Sequence, residues 1–302
     1  MDLLLVKLIF TLRLESGLCD PRALYSLRNP FEEAFRTTAC SNPGRCDVCT
    51  LRDGCTYRSV FAQELSADPA VVKRYQKPPL PFAFQVPLSS HPLTTGDEFE
   101  LGLVLVGRAA GLVEDFRKAV ARLFRPDKSG AIPTASIVRV ESVGCSGFRS
   151  LLATGEGSPS PAGLATISLD DLIAMNTLPS DRIVIRLLTP LCTLSDGKPV
   201  TEFSFSSFIR PLLRRISSLS YYYYGSILDL DYKRLTSISG SIETLKSDFR
   251  WVERQKGSHC GILGTGTLVG DLTDFHPVLL LGEYLQCGKG AAFGMGRYEL
   301  IR

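Results

Sequence analysis

A glycine-rich segment near the C-terminus constrains the fold of this chain more than any other feature. It runs from Gly288 to Tyr298 and has four glycines within nine residues. We predict a helix before it, Asp274–Leu285, and a terminal strand after it, Arg297–Arg302. Glycine lets a backbone approach a ligand closely, and exposed amides bind phosphate. Spacing alone is also compatible with an ordinary glycine-rich turn.

Hydrophobic periodicity predicts an α+β protein with two tandem ferredoxin-like (RRM-like) domains, each with the order βαββαβ. The C-terminal domain ends with the glycine-rich loop. The predicted strands of the first half are Leu3–Leu14, Phe82–Leu88, Asp97–Gly107 and Ile132–Val143, and its helices are Pro21–Ala39 and Leu112–Phe124. In the second half we predict strands at Arg182–Leu188, Gly261–Val269 and Arg297–Arg302, and helices at Ser204–Tyr224 and Asp274–Leu285.

The predicted boundary between the halves is the stretch Ser150–Gly163, because it is rich in glycine, serine and proline. We therefore assign an N-terminal domain to residues 1–150, with a cysteine-rich insertion at about 40–55. A C-terminal domain is assigned to residues 164–302, with the long helix and the glycine loop.

Composition sets the broad class. The chain has 302 residues, 44% hydrophobic and 22% charged, which excludes a disordered protein. A net charge of +3 requires any RNA-binding surface to come from local clusters of lysine and arginine. Leu3–Phe10 is interrupted by Lys7 and fits a first strand better than a signal peptide, and no apolar run is long enough to cross a bilayer. We expect a cytoplasmic protein.

Four of the nine cysteines lie within sixteen residues, at Cys40, Cys46, Cys49 and Cys55. Four thiolates in this spacing can bind one tetrahedral zinc ion, and Cys46-x2-Cys49 is a common half-site. An iron–sulfur cluster, or reduced cysteines without a metal, are the alternatives. A zinc ion held by four protein ligands has no open position, so we predict a structural metal and no cofactor for catalysis. The same reasoning argues against an enzyme that uses this zinc ion for catalysis.

Several segments together resemble the CRISPR-associated repeat-RNA endoribonucleases, the Cas6 family of the RAMP superfamily. The glycine-rich segment resembles that family's C-terminal loop, with Lys289 in a place that is usually hydrophobic. Phe208–Leu219 is similar to its arginine-bearing helix, and Trp251–Gln255 with Gly264–Leu272 is similar to the region between helix and loop. Cys46–Cys49 and the strand after Pro78-Pro79 resemble a cysteine-bearing branch of the family.

The resemblance implies a role in CRISPR antiviral defence. Its implied partners are the CRISPR repeat RNA, the mature guide RNA and other Cas effector subunits. The implied chemistry is metal-independent cleavage, in which a base helps the ribose 2′-hydroxyl attack the adjacent phosphate. The side chains that we assign to RNA binding are Arg210, Arg214, Arg254, Lys289 and Arg297, with the backbone of Gly288, Gly290, Gly294 and Gly296 assisting.

The catalytic groups are harder to assign, because the chain has only the histidines His91, His259 and His276. Where the family often has histidine, this chain has Gln286 before the loop and four tyrosines, Tyr221–Tyr224, at the end of the long helix. We predict His259 and Tyr223 as the catalytic pair. The alternative is a catalytically silent RNA-binding subunit of a CRISPR effector complex.

Overall fold

The fold is taken from a computed structural model of the chain. The structure describes residues 3–40, 46, 49–50, 54–75, 77–88, 91–126, 132–225, 230–253 and 260–302.

The strands are numbered in chain order. They are β1 (Leu5–Leu14), β2 (Leu18–Cys19), β3 (Phe82–Gln85), β4 (Leu93–Thr94), β5 (Glu98–Val106), β6 (Ala135–Val143), β7 (Arg149–Thr154), β8 (Arg182–Leu191), β9 (Leu194–Ser195), β10 (Lys198–Pro199), β11 (Glu243–Leu245), β12 (Arg250–Val252), β13 (Gly261–Val269) and β14 (Tyr298–Ile301).

The α-helices are numbered in the same way. They are α1 (Arg28–Ala39), α2 (Thr56–Phe61), α3 (Pro69–Tyr75), α4 (Val113–Leu123), α5 (Leu169–Met175), α6 (Phe205–Tyr224), α7 (Tyr232–Ile238) and α8 (His276–Leu285).

The first half forms an antiparallel sheet with the strand order β3-β5-β1-β6-β7. β1 is central and pairs with β5 from Leu5 opposite Val106 onward. Its alternate side chains, from Val6 to Leu12, enter a core against α1 and α4, because successive residues of a strand point to opposite faces. Without β7, the order is that of a ferredoxin-like βαββαβ unit.

The second half repeats this arrangement with the strand order β11-β13-β8-β14, and β12 also pairs with β13. Helices α6 and α8 cover one face of this sheet and supply most of its core. The predicted pair of ferredoxin-like folds in an α+β protein is therefore confirmed.

Three local predictions were wrong. The expected linker at Ser150–Gly163 begins with most of β7, so the first sheet extends to Thr154. The helix predicted from Pro21 is a 3-10 helix to Ser26, followed by α1. Asp274 does not cap α8, because its carboxylate binds Arg234 instead.

Among the residues that the structure describes, we find no helix that is both long and apolar enough to span a membrane.

Candidate nucleic-acid interface

Helix α6 brings two arginines to the junction of the two halves. Ser204 begins the helix with a reciprocal capping box to Ser207, and Gly225, in the left-handed conformation, ends it. The face that contains Phe208, Leu212 and other apolar residues is buried, so Arg214 and Arg215 lie at the edge of the buried face. Arg214 is exposed, whereas Arg215 is partly buried.

The glycine loop, defined here as Gly288–Arg297, crosses from the second half to the first. The Phe293 ring inserts into the core of the first half, with its centroid 5.5 Å from that of Phe82. The Thr189 hydroxyl of β8 donates to the Gly294 carbonyl at 2.7 Å. The buried side chain of Gln286, just before the loop, donates to the Phe84 carbonyl at 2.6 Å. The loop is thus fixed to both sheets.

Most of the amides near the loop are already paired. The N–H groups that donate to backbone carbonyls are those of Cys287, Lys289, Ala291, Phe293, Met295 and Gly296. These six groups are not available to a phosphate in this structure. Gly296 is in this set, whereas the amides of Gly288, Gly290 and Gly294, which were also predicted to assist binding, are not.

The glycines serve close packing instead. Gly288, Gly290, Gly294 and Gly296 all have φ between 64° and 91°, where a side chain is strained. A Cβ atom added at Gly296 would overlap the carbonyl of Cys287. The glycine spacing therefore reflects a tight fold-back of the chain on itself.

Two adjoining cavities open along this loop, each of about 330 Å³. Both are lined by Lys77, Arg215 and Gly288, so these three residues mark where the cavities meet. We call the pair of cavities the junction groove. The other ionisable side chains that line it, tyrosine and cysteine apart, are Arg28, Glu32, Arg214 and Lys289.

Positive charge dominates this groove. Of the described residues that line it, five are arginine or lysine and Glu32 is the one carboxylate. Glu32 accepts a hydrogen bond from the Tyr57 hydroxyl at 2.9 Å. Arg28, Lys77, Arg214 and Lys289 are exposed. Such a concave, cationic surface suits a polyanion.

The structure brings some of the predicted site residues together and separates others. Arg214, Gly288, Lys289, Gly290 and Tyr223 line the junction groove. The predicted residues that do not line it are Arg210, which donates to the Thr236 carbonyl at 3.4 Å, and Gly294, Gly296 and Arg297.

Arg297 instead lines a separate cavity. It shares this cavity with Lys7 of β1 and with Glu283 and Tyr284 of α8. Its Nη1 donates to the Val86 carbonyl at 3.2 Å. Burial, together with the nearby Arg297, lowers the pKa of Lys7 to about 8.

Tyr223 is buried, with 4% of its surface exposed. Its hydroxyl donates to the Pro79 carbonyl at 2.7 Å, and burial raises the pKa of the phenol well above its usual value. The proton that Tyr223 would give to a leaving oxygen is therefore held within the protein in this state.

Arg254 and His259, both assigned to the site from the sequence, lie outside the described residues. Their assignments stay predictions. His276 begins α8 and its ring bonds to the Pro179 carbonyl at 3.1 Å, which gives it a structural contact.

The four cysteines predicted to bind zinc are free thiols here. Cys46 accepts a hydrogen bond from the Arg36 guanidinium at 3.7 Å. Within the described parts of the chain, no three histidine, cysteine or acidic side chains gather closely enough to hold a metal ion. As placed, Cys40, Cys46, Cys49 and Cys55 do not form a tetrahedral site, and structural zinc remains a prediction.

Sequence reasoning did not assign four lining residues to this site: Arg28, Glu32, Lys77 and Arg215. Lys77 stands directly before Pro78 and Pro79, and that extended segment was the available signal. Arg28 and Glu32 belong to α1, more than 250 residues before the glycine loop. Only the packing of α1 and α6 around the loop makes these residues neighbours.

Two family models match this chain. Residues 185–298 match the CRISPR-associated endoribonuclease Cas6, which includes α6, α8 and the glycine loop. Residues 5–162 match the AF_1859_N model, described as an N-terminal domain. No curated protein sequence matches the chain.

Solved structures agree on the fold. A Cas6 product complex is similar over 98% of this chain and 100% of that chain, with 15% identity and a TM-score of 0.58. A Cas6 from Thermus thermophilus is similar over the full length of both chains, with 14% identity and a TM-score of 0.54. A partial Cas6-RT-Cas1–Cas2 complex gives 11% identity and a TM-score of 0.59 over 99% of this chain and 46% of that chain.

Proposed function

We propose that this chain is a CRISPR-associated endoribonuclease of the Cas6 family, because residues 185–298 match that family model, and that it binds CRISPR repeat RNA in the junction groove and cleaves it there. The product would be a mature guide RNA that stays bound, because the same cations hold substrate and product. Other Cas proteins are proposed as partners of the resulting complex.

The junction groove is the observation that carries this proposal. Its described lining includes five cationic side chains and one carboxylate, next to the loop that lies within the matched part of the family model. When lysine and arginine neutralise phosphates, counterions are released from the nucleic acid. This release supplies much of the affinity of a protein for a nucleic acid. The exposed Arg214 and Lys289 can follow a phosphate backbone along the groove.

The proposed chemistry is metal-independent. A base removes the proton of the ribose 2′-hydroxyl, its oxygen attacks phosphorus, and the bond from phosphorus to the 5′-oxygen breaks. An acid then protonates that 5′-oxygen, so the products are a 2′,3′-cyclic phosphate and a 5′-hydroxyl. Cations that contact the phosphate stabilise the charge that develops during the attack.

Glu32 and Lys77 are the side chains described in the groove that suit the roles of base and acid. His259 is the base predicted from the sequence. Single-turnover cleavage by Glu32→Gln and His259→Ala distinguishes the two, because only loss of the true base lowers the rate by about 100-fold or more.

The test of cleavage is incubation of the protein with end-labelled repeat RNA in EDTA. We expect one cut in each repeat that leaves a 2′,3′-cyclic phosphate. Cleavage that requires added divalent metal would contradict the metal-independent mechanism.

RNA binding without cleavage is the second candidate. Two observations favour it. No histidine is among the described residues that line the junction groove, and the Tyr223 hydroxyl donates its hydrogen bond to the Pro79 carbonyl. This candidate predicts salt-sensitive binding of an RNA that stays intact in the same assay.

A further inference from the structure

Arg215 connects the two halves of the protein through its guanidinium group. Its Nε donates to the carbonyl of Leu285, the last residue of α8, at 2.8 Å. Its Nη2 donates to the carbonyl of Phe82, the first residue of β3, at 3.2 Å. Two bonds in different directions fix the plane of the guanidinium, which an exposed arginine would not achieve.

The charge of Arg215 has no described counter-ion. Burial lowers its pKa to about 10, so the group stays protonated at neutral pH. Its two described partners are neutral carbonyls, and among the described residues Nη1 has no hydrogen-bond partner. Since a partly buried cation without an anion is costly, this arrangement favours binding of an anionic ligand.

The position of Arg215 indicates where an anionic ligand would bind. Arg215 lines both cavities of the junction groove, at the point that it shares with Lys77 and Gly288. We propose that Arg215 is a catalytic residue whose Nη1 contacts the RNA phosphate at the cleavage position and stabilises its charge during the attack. This inference rests on the proposed function and adds a residue to it.

Arg215 suits this role better than its exposed neighbours do. Arg214 and Lys289 are exposed side chains that must be ordered when they bind. A donor already held in position costs no reorganisation when charge develops, and removal of one such donor typically costs about 100- to 1000-fold in rate. A lysine cannot replace it, because one ammonium cannot reach both carbonyls and a phosphate.

Arg215→Ala and Arg215→Lys test the inference. The matched control is Arg182→Ala, which removes an exposed arginine at the start of β8 that lines neither cavity of the junction groove. We expect both Arg215 variants to lose about 100-fold or more in single-turnover cleavage. Affinity for an RNA with a 2′-deoxy sugar at the cleavage position should fall less than tenfold, and Arg182→Ala should stay within threefold of the parent protein in both assays.

Chemical rescue separates contact from structural support. Guanidinium ion at low millimolar concentration should raise the cleavage rate of Arg215→Ala at least tenfold, whereas sodium at equal ionic strength should not. A role confined to holding the halves together would lower the thermal midpoint without such rescue, and this result would overturn the inference.

The outcomes also distinguish failure of the inference from failure of the proposed function. If the parent protein cleaves and the Arg215 variants cleave within threefold of it, the inference alone is wrong. If the parent binds RNA without cleaving it, a catalytic Arg215 is excluded. If the parent does not bind RNA, the proposed function is wrong, and the inference about Arg215 is wrong as well.

Discussion

At the scale of single residues, burial separates side chains that hold the fold from those that can bind a ligand. Tyr223 and Arg214 lie in the same helix and line the same groove, but Tyr223 is buried with its hydroxyl paired and Arg214 is exposed. The sequence could predict Arg214 from its helix, because every fourth residue shares a face. It could not predict that the Pro79 carbonyl would accept a hydrogen bond from the Tyr223 hydroxyl, since the two residues are 144 positions apart.

Replacement of Tyr223 with phenylalanine tests its role. The change removes the hydrogen bond to Pro79, so we expect a loss of about 1 kcal/mol in the free energy of unfolding. Cleavage should stay within about threefold of the parent rate. Urea unfolding and single-turnover kinetics measure the two effects, with Tyr224→Phe as the control. A 100-fold slower reaction at unchanged stability would instead make Tyr223 the catalytic acid.

Lys7 gives a prediction of pH dependence. Burial lowers its pKa in the folded protein to about 8, against about 10.4 in an unfolded chain. Between these values the unfolded state binds the extra proton, so this group makes stability rise with pH. Below pH 8 Lys7 is protonated in both states, so the cost of burying its charge in the folded protein is fully present.

We therefore expect Lys7→Met to be more stable than the parent below pH 8, by on the order of 1–3 kcal/mol. The difference should shrink as the pH approaches 10.4. Unfolding by urea at several pH values measures it, and Lys198→Met, at an exposed position, is the control. A difference that does not change with pH would contradict the assigned burial of the charge.

At the scale of elements, the glycine loop is a rigid connector between two sheets. The sequence correctly predicts its position between α8 and β14, because helical and strand periodicities bound it on either side. It does not reveal that six nearby amides are paired, since their acceptors include Cys192 and Pro190, which are distant from the loop in sequence although adjacent to it in space. Of the four glycines whose backbone was predicted to assist RNA binding, Gly296 is the one whose amide belongs to this paired set.

Gly296→Ala tests this account of the loop. A Cβ atom there would meet the Cys287 carbonyl, and φ is 64°. We expect a loss of more than about 2 kcal/mol in the free energy of unfolding. Gly111→Ala is the control, because a Cβ atom there meets nothing within 4 Å. Equal stability of the two variants, measured by urea unfolding, would show that the loop is not tightly packed.

At the scale of the whole molecule, the two ferredoxin-like halves create a groove that neither contains alone. Lys77 precedes β3 of the first half, Arg214 belongs to α6 of the second, and Gly288 lies in the loop that joins them. Periodicity predicts each half because it is a local property of the chain. The groove depends on contacts between the segment at Lys77 and elements of the second half more than 100 residues later in the chain, which no local pattern encodes.

The salt dependence of RNA binding tests the central claim most directly. The groove variant replaces Lys77, Arg214 and Lys289 with glutamine. The matched control makes the same change at Lys118, Arg122 and Arg125, which are exposed on or just after α4. Both variants lose three positive charges, so general electrostatics affects them alike.

We expect the groove variant to bind 2′-deoxy-substituted repeat RNA at least 100-fold more weakly than the parent at about 100 mM salt. The slope of log affinity against log salt should fall by about 2, since each lost phosphate contact removes roughly 0.7–0.9. The control should stay within about threefold, with a nearly unchanged slope. Equal losses in the two variants would contradict a binding site in the junction groove.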